Sequence, residues 1–260
     1  MKFSVTFGAA GAGRDPRGLA DLARLAEESG WDGVFLEDYL VYQGDASLPA
    51  YDPWVCLAAM ACATSRVKLG TTVTPLPRRH PWKVAAEAVA LDQLSDGRMI
   101  LGAGIGDPQD PFMPSVSSRV LAEMLDESLQ VIDALWSGEV VHHDGVHYQL
   151  DGVRLAARPV QRPRIPVWVG GNLLVPAVRR RILRWDGSCA YKGPTTASLP
   201  ILPSDVAALR AERGDGFDIK VSGGDPEAFA AAGATWWGRW IGPGSAEEAE
   251  RIVRAGPPRW

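Results

Sequence analysis

Cysteine is scarce in this chain. Cys56, Cys62 and Cys189 are an odd number without CxxC spacing, so neither a disulfide framework nor a zinc site is indicated. Histidine is nearly as rare, and three of the four, His142, His143 and His147, fall on one short alternating segment. Alternation there puts His142 and His143 on opposite faces, and no Asp or Cys ligand set accompanies them, so no metal is expected. No apolar run approaches the roughly 20 residues that a membrane span needs. The opening MKFSVTFGAA reads as a strand and not as a secretory signal, so no membrane partner and a cytoplasmic location are expected. Neither sign of charge dominates: a net charge of −4 gives no electrostatic reason to expect nucleic acid as a partner. What remains, 46% hydrophobic and 22% charged over 260 residues, is an ordinary globular composition, long enough for one large core.

Periodicity divides the chain into eight strand-then-helix units without an obvious linker. Lys2 to Phe7 alternates as a strand, Asp15-Pro16 starts a helix with Leu19, Leu22, Ala23 and Ala26 on one face, and Gly30 ends it. Gly33 to Glu37 is the second strand and Asp52-Pro53 starts the second helix. Arg66 to Val73 is the third, Met99-Ile100-Leu101 begins the fourth, and Ser118 to Trp136 is the fourth helix. Val140 to Leu150 then alternates around Asp144-Gly145, which predicts a two-residue hairpin turn. The stretch 138–165 reads as an insertion lying against the main body, within a single domain spanning 1–260. Pro166 to Val169, Trp185 to Ala190, Asp218 to Ser222 and Ala234 to Trp237 supply the last four strands. Regular alternation of this kind predicts an α/β parallel sheet covered by helices. Eight units and no phosphate loop on the first strand favour a closed (β/α)8 barrel, with an open doubly wound sheet as the alternative.

The segment Arg66 to Gly106 carries more specific information. Leu69-Gly70-Thr71, Arg79-His80-Pro81, Leu91-Asp92-Gln93-Leu94-Ser95-Asp96-Gly97-Arg98 and Leu101 to Gly106 resemble, almost position for position, the signature of the bacterial-luciferase-like oxidoreductases. The resemblance implies a TIM barrel holding FMN or the related deazaflavin, coenzyme F420. It also implies a non-proline cis peptide at Thr72-Val73, backing the flavin ring. Trp168 to Asn172 resembles the family segment around the cofactor's ribityl-phosphate arm, and Asp107 stands where several deazaflavin members have an acid. The common family pattern at the end of strand 2 is an acid followed by His. Here Asp38 matches the acid and Tyr39 replaces the His, which suggests a phenol that donates a proton or hydrogen bond in place of a base.

In a TIM barrel the carboxyl ends of the strands hold the active site. That rule gathers Gly8, Glu37, Asp38, Tyr39, Thr72, Val73, Thr74, Gly104, Gly106, Asp107, Gly170, Gly171, Asn172, Tyr191, Lys192, Trp236 and Trp237. Asp38, Tyr39 and Asp107 are the catalytic candidates. Gly8, Thr72, Val73, Thr74, Gly104, Gly106, Gly170, Gly171, Asn172 and Lys192 are the candidates for cofactor binding, the glycines because they permit close backbone approach to a flat ligand. Trp236, Trp237 and Trp240 form either a wall of the pocket or, in part, barrel core. The expected function is a luciferase-like monooxygenase or related flavin or deazaflavin oxidoreductase acting on a small organic substrate. A homodimer is expected, and a separate flavin reductase is left open as a partner. Two alternatives stand beside it: a non-catalytic or vestigial flavin-binding barrel with a shallow pocket, and a metal-independent barrel enzyme whose glycines cradle a substrate phosphate.

Overall fold

The computed structural model describes residues 1–11, 13–107, 109–193 and 199–258. Its strands are β1 (Lys2–Gly8), β2 (Gly33–Glu37), β3 (Lys68–Thr71), β4 (Thr74–Pro75), β5 (Met99–Gly104), β6 (Val141–Asp144), β7 (Gln149–Val153), β8 (Val167–Val169), β9 (Gly187–Ser188), β10 (Asp218–Ser222) and β11 (Trp236–Ile241). Its helices are α1 (Pro16–Glu28), α2 (Pro53–Ala63), α3 (Pro81–Leu94), α4 (Ser118–Trp136), α5 (Pro176–Ile182), α6 (Pro203–Arg213), α7 (Pro226–Ala231) and α8 (Ala246–Arg254). Pro16, Pro53, Pro81, Pro176, Pro203 and Pro226 each open a helix, where the missing N–H costs nothing and φ is already set. Asp15, Asp52, Ser117, Asp225 and Ser245 supply side-chain caps just before α1, α2, α4, α7 and α8.

All barrel pairings are parallel, in the order β1, β2, β3, β5, β8, β9, β10, β11 and back to β1, so the sheet closes on itself. This is the (β/α)8 barrel and not the open doubly wound alternative. Inside it, Phe35, Ile100, Trp168 and Trp236 form a plug of their own, with ring centroids 5.3 to 5.9 Å apart. The larger apolar cluster lies between the barrel and its jacket of helices.

Three boundaries differ from the sequence reading. The third strand stops at Thr71, breaks at Thr72-Val73, and resumes as the short β4 beside β5. The last strand begins at Trp236 and runs on to Ile241. Trp236 and Trp237 therefore sit at its amino-terminal half, below the mouth. Trp236 fills the interior plug, and Trp237 points outward against Phe3, with 6.2 Å between ring centroids. The hairpin turn lies further along than Asp144-Gly145, at Val146-His147, because Asp144 pairs with Gln149 and Gly145 N–H donates to the Tyr148 carbonyl at 3.0 Å. Glu127 of α4 holds the turn there. Its carboxylate accepts from the N–H groups of His147 and Tyr148, at 3.0 and 2.7 Å, and faces His143 at 3.1 Å.

The longest motif of the luciferase-like signature lies at the foot of the barrel, where it fastens chain to chain. Asp92 is fully buried and accepts from Val160 N–H, Gln161 N–H and the Gln161 amide at 2.7, 3.1 and 2.7 Å, which pins the insertion to α3. Arg98 donates to the carbonyls of Ser95, Val67, Ala61 and Thr64 and to the Thr64 hydroxyl. Asp96 and Gly97 take positive φ, 52° and 74°, to turn between α3 and β5.

Candidate functional site

The carboxyl ends of the strands open into a cavity of two lobes. The first, about 650 Å³, is lined by Asp38, Tyr39, Val73, Gly104, Asp107 and Gly170, among others, and reaches out to Arg119 on α4 and Arg181 on α5. The second, about 640 Å³, lies towards β1, β10 and β11 and includes Thr6, Lys220, Ser222 and Trp240. Glu37, Thr72, Cys189 and Tyr191 line both. Each volume falls within the range of small-molecule sites.

The Thr72–Val73 peptide is cis, as the luciferase-like resemblance implies. Two of the candidate glycines serve this feature. A Cβ on Gly104 would lie 2.5 Å from Val73 Cγ2, and one on Gly170 would lie 2.8 Å from Val73 Cγ1. The close approach that these glycines permit is therefore that of the Val73 side chain, which lines the lobe together with them. Gly106 and Gly171 take φ of 93° and 149°, and a Cβ on either would strike Met113 or Val178. Asn172 accepts through Oδ1 from the N–H groups of Leu174 and Gly193, both at 3.1 Å, bracing the loops after β8 and β9.

Three of the sequence-predicted residues do not line either lobe. Gly8 makes room for the Tyr42 ring, which a Cβ would meet at 2.6 Å. Thr74 is fully buried and shares a 2.8 Å hydrogen bond with Thr71. Lys192 is held by Asp205 at 2.9 Å, so its charge is answered within the protein. Thr74 and Lys192 stand next to lining residues in sequence, Val73 and Pro75 for the one and Tyr191 for the other, but their own side chains are engaged elsewhere.

Asp38 is placed at the lobe yet is not free. Its carboxylate is buried and bound by both Arg78 and Arg79, and Arg78 is bound in turn by the buried Asp110, while Arg79 also reaches Asp52 at 3.5 Å. Buried charges persist when paired in this way. The cluster ties the end of β2 to the loop before α3 and to the loop after β5, and it leaves the Asp38 carboxylate occupied by two guanidinium groups.

Tyr39 and Asp107 do come together. The Tyr39 hydroxyl donates to Asp107 Oδ2 at 2.8 Å, across 68 residues of sequence. Burial, and then the neighbouring Asp107 carboxylate, push the Tyr39 phenol well above its usual range. It is a hydrogen-bond donor at any ordinary pH, which is the role its replacement of His suggests. Asp107 also accepts from Gln109 N–H at 2.9 Å, fixing its orientation.

Sequence reasoning placed Glu37 at a strand end without giving it a role, and passed over Tyr42 and Lys220. Tyr42 donates to Glu37 Oε2 at 2.9 Å and packs edge-on against Tyr39. Lys220 is buried, within 3.4 Å of both the Thr6 and Ser222 hydroxyls. The available signal for Lys220 was a lysine between Ile219 and Val221 in a strand that is otherwise apolar.

A family description, luciferase-like monooxygenase, matches residues 1–235. The chain belongs to this family. An F420-dependent glucose-6-phosphate dehydrogenase from Nakamurella multipartita is 37% identical over 200 residues, covering 73% of this chain and 57% of the relative. The chain thus spans little more than half the length of this curated luciferase-like relative. Among solved structures, the monooxygenase RslO1 from Streptomyces bottropensis superposes with a TM-score of 0.76 at 23% identity, covering 98% of this chain and 97% of its own. An F420-dependent secondary alcohol dehydrogenase, in complex with an F420-acetone adduct, gives a TM-score of 0.79 at 16% identity, covering 99% and 98%. At these identities the two structures speak for the fold. Among the described residues no helix is long and apolar enough to cross a membrane, and no three His, Cys, Asp or Glu side chains converge as a metal site.

Proposed function

We propose that this chain is an oxidoreductase that binds a flavin-type ring in the first lobe, with the deazaflavin F420 as the favoured cofactor. The observation that carries this reading is the wall built from Val73 packed against Gly104 and Gly170, with the bonded Tyr39–Asp107 pair lining the same lobe. The lobe suits the ring: an apolar face for its plane, and a neutral donor and a carboxylate where polar atoms on a ring edge or a substrate oxygen would meet them. Arg119 and Ser118 stand at the outer end, where an anionic tail would emerge. Bound there, a deazaflavin supplies hydride transfer. The chain's own residues supply orientation, exclusion of water and proton management. The F420-dependent relative favours the deazaflavin over FMN.

Titration of the purified protein with F420 and, separately, with FMN, followed by fluorescence quenching, tests the proposal. Saturable quenching by F420 alone supports hydride transfer to or from a small organic substrate. Saturation by FMN alone shifts the reading to a monooxygenase supplied by a separate reductase. Binding of neither overturns the reading and favours the metal-independent barrel enzyme whose glycines cradle a substrate phosphate.

A further inference from the structure

Two carboxylates of the first lobe are already committed: Asp38 to Arg78 and Arg79, and Asp107 to the Tyr39 hydroxyl. Glu37 is different. It lies at the junction of the two lobes, and the side chain hydrogen-bonded to it is neutral, the Tyr42 hydroxyl at 2.9 Å. Three strands round the barrel, Lys220 lines the second lobe with it. Lys220 is only 7% exposed and lies over the Phe35 ring at 5.7 Å, with two long hydroxyl contacts for its three N–H donors. It lies beside Gly238 of β11, where a Cβ would come within 2.8 Å of the ammonium. A buried lysine is costly unless its charge and donors are answered.

We propose that Glu37 carries the proton of a substrate bound in the second lobe, and that Lys220, seated over Gly238 in that lobe, is the charge that keeps it ready. The proposal rests on the oxidoreductase reading above and assigns the substrate side of the cavity. Thr6, Ser222 and Lys220 offer hydrogen bonds to oxygen, while Leu199, Pro200, Ile201 and Trp240 give apolar walls. The substrate class that fits is a small organic molecule with a hydroxyl or carbonyl at the reacting carbon. In the oxidative direction the O–H bond breaks and its proton passes to a Glu37 oxygen. The electron pair left on the substrate oxygen becomes the second bond of the carbonyl as the C–H hydrogen departs as hydride, an oxidised deazaflavin being the acceptor. The reverse direction returns the proton from the Glu37 carboxyl to the carbonyl oxygen.

The environment suits this exchange. Burial pushes the Glu37 carboxyl up, opposed by hydrogen bonds from Trp240 and Tyr42 and by the Lys220 charge. Burial pushes Lys220 down, opposed by Cys189 and Glu37. Tyr39 is the remaining titratable group that feels Glu37. A carboxyl brought nearer the working pH is a better proton carrier in both directions.

Carboxyl ¹³C NMR of glutamate-labelled protein tests the pair without needing the natural substrate. In the wild type, one glutamate resonance, absent from Glu37→Gln, should titrate above the exposed glutamates. Lys220→Met should move it further up, and the same resonance should shift when acetone is added as a carbonyl probe to the F420-loaded protein. If Glu37→Gln does not fold, the Lys220→Met shift and the acetone response identify the resonance. A Glu37 signal that titrates with the surface glutamates, ignores Lys220→Met, or ignores acetone overturns the proposal while leaving the oxidoreductase reading intact. Failure of the wild type to bind either cofactor sinks that reading and this proposal with it.

Discussion

Tyr39 and Tyr42 are held neutral by burial beside Asp107 and Glu37, and the consequence runs to stability as well as to chemistry. A phenol whose folded pKa is raised stabilises the fold fully below its unfolded value of about 10, and that contribution falls as pH rises beyond it. Urea midpoints should therefore decline above about pH 10 more steeply in the wild type than in a Tyr39→Phe, Tyr42→Phe variant. An equal decline in both would remove the two tyrosines from the account. The cysteines give a second residue-scale test. Burial pushes Cys56 and Cys189 up to about 12, while Cys62 is exposed. A thiol reagent at pH 8 should label Cys62 promptly in the folded protein and Cys56 only after denaturation; prompt labelling of Cys56 would mean that its surroundings are more open than described.

At the scale of elements, the buried cluster of Asp38, Arg78, Arg79 and Asp110 joins β2, the loop before α3 and the loop after β5. Removing one partner leaves an uncompensated buried charge, so Arg78→Met should cost about 3–5 kcal/mol in denaturant unfolding. A loss under about 1 kcal/mol, the value of an exposed pair, would contradict the burial. At the foot of the barrel, Asp92→Ala leaves the Val160 and Gln161 N–H groups without their acceptor. A loss of about 2 to 3 kcal/mol and faster hydrogen exchange at those two amides are expected, with exchange in β2 unchanged. These elements also show what was legible in the sequence. Proline at helix starts, Asp and Ser caps, and apolar periodicity placed the helices, because all are local signals. The position of the hairpin turn was not legible, since Glu127 holds it from 20 residues away. The destinations of Asp38 and Lys192 were hidden for the same reason: strand-end position says which residues are near the mouth, but partners distant in sequence decide which side chains remain free.

For the molecule as a whole, the closed barrel brings together residues from β1, β2, β4, β5, β10 and β11 in one two-lobed cavity. The luciferase-like signature found the right fold although its longest motif, Leu91 to Arg98, works at the opposite end from the chemistry, as a fastening of the insertion and the α2–β3 turn. The cis Thr72–Val73 peptide was legible only through that resemblance, since no local pattern marks it. Glu37 and Lys220 were legible in neither way, because their relation exists only once the barrel closes. The central claim is that the first lobe receives a flavin-type ring against Val73. A crystal structure of the protein grown with F420 tests it most directly. The account predicts ring density lying on the Val73 face, backed by Gly104 and Gly170, with one edge towards Tyr39 and Asp107. Ring density elsewhere on the protein, in a crystal where this lobe is open to solvent and empty, would contradict it.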